Sequence, residues 1–142
     1  MKKSRIKKIA LTCNVRSSDA PEEYQEWDEP ETVEAIAQSI RDLGFEAAII
    51  NCNGADAERQ LREFNPDLAF NIAEGLHGES RESEIPLLLE KLGIPYTGSG
   101  PQTLVNCLNK AKTKEILCSR NVPTPLWFCS EWPLSALPRG LS

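Results

Sequence analysis

"DLAFNIAEGLHGESRESEIPLLLEKLGIPYTGSG", residues 67–100, reads as one strand–loop–helix–strand unit. "DLAFNI" (67–72) is a short apolar run behind the breaker Asn65-Pro66, the pattern of a central strand. "AEGLHGESRES" follows, a polar glycine-bearing loop with the chain's single histidine, His77. "EIPLLLEKLG" has Pro86 near a helix start and Gly93 at its end, and "IPYTG" is a further short strand. The Gly98-Ser99-Gly100 turn then leads straight into Pro101, which suits the first position of a new helix.

Upstream the same alternation continues. "KIALTCNV" (8–15) and "FEAAIINC" (45–52) are apolar runs of strand length. Between them Pro30 opens a helix whose Val33, Ile36, Ala37, Ile40 and Leu43 recur at helical spacing until Gly44. "NGADAERQLREFNP" is a short polar helix, and "RSSDAPEEYQEWDEP" an acidic loop of a length usually tied to function or motion. Downstream, "PQTLVNCLNKAKTKEILCSRN" holds one or two helices with Leu104, Leu108, Ile116 and Leu117 as inward candidates, and "VPTPLWF" (122–128) is extended. Such alternation predicts an α/β fold: three layers, α/β/α, around a parallel sheet of about four strands. Ligands of such sheets gather beyond the carboxyl ends of the strands, here at loops 14–29, 73–81 and 97–101.

The 142 residues suffice for one domain with a core. A net charge of −5 argues against a nucleic-acid surface, and no apolar run reaches the ~20 residues of a membrane span. The basic opening "MKKSRIKK" reads as a solvated lead-in to a strand. Cys13, Cys52, Cys107, Cys118 and Cys129 form no C-x-x-C pair and mostly fall in apolar segments, so buried free thiols in the cytoplasm are expected. One histidine and no cysteine cluster leave a structural zinc site without ligands.

Two α/β nucleotide motifs are missing: neither G-x-G-x-x-G after the first strand nor G-x-x-x-x-G-K-[ST] occurs. A receiver-type signalling domain needs an aspartate where Asn71 stands and an acidic pair where "TCN" stands. By contrast, "GLHGESRE…LLLEKLGIPYTGSGPQTLVNCLNKAKTKEIL…VPTPLWF" resembles the amino-terminal part of the D-alanine–D-alanine ligases and their ATP-grasp relatives. The shared features are a Leu-His-Gly loop, a glutamate soon after it, Gly-Ile-Pro-Tyr-Thr-Gly-Ser-Gly, a Lys-x-x-x-Lys helix and the Val-Pro-x-Pro segment.

The resemblance implies a Rossmann-like pre-ATP-grasp domain at 1–128, with 129–142 beginning a linker toward the nucleotide-clamping lobes. For a full-length parent it implies ATP and Mg²⁺ as cofactors, an amino acid as small-molecule partner, and an acyl-phosphate route to a D-alanyl-D-alanine-type bond for peptidoglycan. It also implies pairing of two copies through this domain, with Trp127, Phe128, Trp132 and Leu134 packing on the domain or on a second copy. Lys110 matches the family's nucleotide-phosphate lysine, behind Asn109 rather than the usual aspartate, and Lys114 shares its helix face. His77 matches the histidine beside the first amino acid, and Glu82 the acidic residue after it. Ser99, able to cap the next helix, lies in the turn on the substrate side. The family's first loop is glycine-rich and ends in an ammonium-binding glutamate; this chain has none of those glycines, leaving Glu29 or Glu31 as replacements.

No catalytic or metal-ligating residue is assigned. A Lys-Pro followed by Glu-Gly-Ser-Ser-Gly, expected of the nucleotide lobe, does not occur. The reading is therefore a ligase domain inactive by itself, with a stand-alone, non-enzymatic binding module as the alternative.

Overall fold

The computed structural model describes residues 6–17 and 26–129. Two compact units divide the chain, Met1–Val105 and Asn106–Ser142.

The first unit is built on a parallel three-stranded sheet in the order β2-β1-β3. Its strands are β1 (Lys8–Cys13), β2 (Glu46–Asn51) and β3 (Leu68–Asn71). Leu11 of β1 is level with Ile49 and Phe70 on its two neighbours. The fourth strand expected at "IPYTG" shrinks to one parallel bridge between Ala69 and Tyr96, closed by Ala69 N to Pro95 O (2.8 Å) and Thr97 N to Ala69 O (3.0 Å). Pro95 has no N–H to donate, and the turn at Gly98 takes the following donors out of register.

Alternation along β1 sends side chains to opposite faces and makes the layers. Leu11 and Cys13 pack with Val33 and Ala37 of α1 (Pro30–Asp42) on one face. Ala10 packs on the other with Leu61 of α2 (Ala57–Phe64) and Ile85 and Leu89 of α3 (Glu84–Leu92). The expected α/β/α sandwich is thus present. Two expectations need correction. Leu43 is 76% exposed, because α1 ends at Asp42 and the chain leaves the apolar stripe before it. Cys107, Cys118 and Cys129 are exposed free thiols, and only Cys13 and Cys52 are buried.

The amino end of the sheet is closed by Asp67, whose Oδ2 accepts the backbone N–H groups of Lys7 (2.8 Å) and Lys8 (2.9 Å). Asn65 in the left-handed region (φ 50°) ends α2 and, with Pro66, aims the chain into β3.

α4 (Pro101–Leu108) starts in the first unit, with Gly100 O accepting from Thr103 N and Leu104 N. Gly100, rather than Ser99, therefore takes the cap position. α5 (Lys110–Ser119) lies in the second unit, capped by Asn109, whose Oδ1 accepts from Lys112 N at 3.0 Å. Neither helix buries a residue fully, so Leu104, Leu108, Ile116 and Leu117 are half-buried rather than core. Lys114 Nζ donates to Thr124 Oγ1 (3.1 Å) and Pro125 O (3.3 Å), tying the Val-Pro-Thr-Pro segment back to α5. No described helix is long and apolar enough to cross a membrane.

Candidate functional site

The expected loops do leave the sheet at one edge. Residues 14–17, 72–80 and 97–100 all continue from the carboxyl ends of parallel strands or, at Tyr96, of the bridge beside β3. Thr97 ties the third loop to the end of β3, its Oγ1 accepting from Asn71 N at 3.1 Å, while Thr12 Oγ1 donates to Asn71 Oδ1 at 2.7 Å. Gly98 holds a positive φ of 97°, which the tight turn requires.

Asn14 organises the centre. It is the polar residue that ends the apolar run of β1, and it is 1% exposed. Its Oδ1 accepts from both Glu74 N and Gly75 N at 2.9 Å, and its Nδ2 donates to Asn53 Oδ1 at 3.1 Å. Asn53 Nδ2 donates onward to Val15 O at 2.6 Å, and Asn14 O accepts from Asp28 N at 3.0 Å. One amide thereby joins the loops after β1, β2 and β3. Across them, Trp27 Nε1 donates to Gly75 O (3.2 Å) and Arg81 Nη2 to Glu26 Oε2 (2.5 Å). Gly75, at φ 78°, meets the backbone of Arg81 so closely that a methyl group would overlap its carbonyl.

This folding gathers carboxylates. Glu74 is half-buried and titrates above the ordinary glutamate range, first through burial, then through Glu82 and Glu26, with Arg81 opposing and Asp28 adding to the rise. Burial also raises Asp28. Behind them, burial pushes the Cys13 thiol up to about 12, helped by Asp28, and the Cys52 thiol up to about 12, helped by Cys13. These thiols are inert at neutral pH.

Of the residues singled out in the sequence, Glu82 is half-buried in the short 3₁₀ turn Arg81–Ser83 and acts on Glu74. His77 is exposed on the Glu74 loop, and Ser99 is exposed on the turn after Thr97. Glu31 is exposed in the first turn of α1, where its charge complements the helix dipole. Glu29, at the cap of α1, pairs with Arg16. Lys110 lies in the second unit, its Nζ donating to Cys107 O at 3.0 Å. Asn14, Glu74, Asp28 and Arg81 were not visible as site residues in the sequence. The available signals were an asparagine ending a buried strand and a glutamate-glycine pair directly after another.

Polar loops at the carboxyl edge of a parallel α/β/α sheet place the domain in the open-sheet class, whose ligands gather at that edge. No protein-family model matches the chain. Similarity to individual proteins is nevertheless clear. A D-alanine–D-alanine ligase of Francisella philomiragia is 39% identical over 93 residues, 65% of this chain and 30% of that protein. An uncharacterized protein of Sinorhizobium fredii is 27% identical over 133 residues, 83% of this chain and 40% of that protein. The D-alanine–D-alanine ligase of Bacillus anthracis, solved in complex with ATP, superposes with a TM-score of 0.61 over 88% of this chain and 38% of that one. At 24% identity that superposition establishes the fold. The chain is similar in sequence and fold to the amino-terminal domain of the D-alanine–D-alanine ligases, and it spans 30–40% of the length of these relatives.

Proposed function

We propose that this chain serves as the amino-terminal, substrate-side domain of an ATP-dependent carboxylate–amine ligase of the D-alanine–D-alanine type. The observation that carries the reading is the combination of ligase similarity with loops bearing His77, Glu82 and Ser99 at one carboxyl sheet edge. In this reading His77 and Ser99 offer hydrogen bonds to an amino acid's carboxylate, and Glu82 acts with Glu74 on its ammonium group. ATP, when bound, would give its γ-phosphoryl group to the first amino acid's carboxylate with loss of ADP, and Mg²⁺ would neutralise charge on the phosphates.

The described residues do not fit those two cofactors by themselves. No group of three or more histidine, cysteine, aspartate or glutamate side chains among them is placed to hold a metal. Lys110 is the assigned phosphate contact. One exposed lysine–phosphate contact contributes about 1 kcal/mol or less, against the ~8 kcal/mol of micromolar binding. This reading assigns the nucleotide and metal to lobes of a longer parent, in which this domain also pairs two copies, and takes the domain alone to be inactive.

Isothermal titration of the 142-residue chain with Mg-ATP, with and without D-alanine, is expected to be flat at millimolar nucleotide. Saturable micromolar binding would overturn the assignment. Reading the gene beyond codon 142 tests the remainder. A frame running into a glycine-rich nucleotide lobe supports it, and a stop codon there favours a stand-alone binding module.

A further inference from the structure

We propose that Asn14 is a positioning residue, whose side-chain amide sets the Glu74–Gly75 turn and so holds the Glu74 carboxylate at the carboxyl edge of the sheet. The inference rests on the reading of that edge as the substrate side. Three features carry it. Asn14 is almost fully buried, and both faces of its amide are used: Oδ1 for Glu74 N and Gly75 N, Nδ2 for Asn53. The turn it holds cannot relax toward Arg81, because Gly75 already lies against that backbone. The bound turn begins with Glu74, which faces Glu82 and Arg81 from its own connection and Glu26 and Asp28 from the segment before α1.

The amide also suits the charge of its surroundings. An aspartate would accept the same two N–H groups, but it would lose the bond to Asn53 and add negative charge beneath Glu74. A neutral acceptor fixes the turn without raising the cost of an ionised Glu74.

The test uses the full chain without ligand, so its outcome is independent of the ligase reading. Carboxyl-labelled NMR follows the titration of Glu74, and hydrogen exchange follows the amides of Glu74 and Gly75. In Asn14→Ala both amides are expected to exchange about tenfold faster or more, while the β1–β2 ladder keeps its protection. Glu74 should then titrate closer to the ordinary glutamate range as its loop gains solvent. Asn14→Asp keeps the acceptor, so it should restore protection of the two amides and drive the Glu74 titration higher than in the parent. A folded Asn14→Ala with unchanged exchange and unchanged Glu74 titration overturns the proposal. Should that variant not fold, faster exchange of the Glu74 and Gly75 amides in Asn14→Asp, which keeps the acceptor, overturns it equally.

Discussion

The two ends of the sheet are closed by the same device in opposite electrical forms. At the amino end Asp67 accepts two successive backbone N–H groups, from Lys7 and Lys8, with a charged carboxylate. At the carboxyl end Asn14 accepts two successive N–H groups, from Glu74 and Gly75, with a neutral amide. The Asp67 carboxyl is held below the ordinary aspartate range, by the Lys8 and Lys7 backbone bonds first and by the charges of Lys7 and Lys8 as well. Glu74, among carboxylates and half out of water, is pushed the other way. One end is built for stability. The other keeps a carboxylate in unfavourable company, the pattern expected of a binding edge.

The largest contrast should appear in thiol chemistry. Cys13 and Cys52 lie buried behind the carboxyl edge, with thiols at about 12, while Cys107, Cys118 and Cys129 are exposed. At pH 8 an alkylating reagent should label the exposed three long before the buried pair, because burial both blocks access and disfavours the thiolate. Mass spectrometry of partially labelled native protein checks this, and rapid labelling of all five would mean that this edge opens readily.

Gly75→Ala comes next. The added methyl meets the Arg81 carbonyl at a backbone φ of 78° that alanine disfavours, so a loss of roughly 2–4 kcal/mol is expected in urea unfolding. Gly78 also has a positive φ, of 88°, but open space around it. Alanine there should cost less, about 1 kcal/mol from the backbone alone. Equal costs would show that the close packing at Gly75 carries no weight.

The two carboxylates should then respond to acid with opposite signs. Asp67 is depressed in the folded state, so its contribution is present above the ordinary aspartate range and is lost as pH falls through the lower folded value. Asp67→Asn should lower Tm at neutral pH, with the gap to the parent closing in acid. Glu74 is raised, so its contribution is complete below the ordinary glutamate range and is lost as pH rises through the higher folded value. Glu74→Gln should give the smallest effect, a slight rise in Tm at neutral pH that disappears in acid. A fall in Tm for Glu74→Gln would reverse the electrostatic account of this edge.

Much of the first unit was legible before folding, because its strands and helices differ in hydrophobic period and are punctuated by residues with restricted backbones. Pro30 opens α1, Asn65-Pro66 ends α2 and Gly93 ends α3 as the local chemistry requires. The fourth strand is shorter than its composition predicts: apolar residues around Tyr96 indicate burial, but the ladder depends on donors that Pro95 and the following turn do not supply in register. Helices α4 and α5 bury less than their spacing predicts for a related reason. Leu104, Leu108, Ile116 and Leu117 have helical spacing, yet periodicity says which face is apolar and nothing about what covers it.

For the candidate site the division is sharper. Short-range order along the chain determined the α/β/α class, the edge where the loops emerge, and the likeness to the ligases carried by 66–128. Only the tertiary structure decided that Asn14, Asn53, Glu74 and Gly75, from the ends of three strands, share one hydrogen-bonded centre. It also decided that Glu26, Asp28, Glu82 and Arg81 act on one carboxylate, that of Glu74. Hydrophobic period and turn chemistry act over a few residues and are written locally. The spacing between polar groups 50 or 60 positions apart depends on strand order and register, which exist only once the sheet has closed.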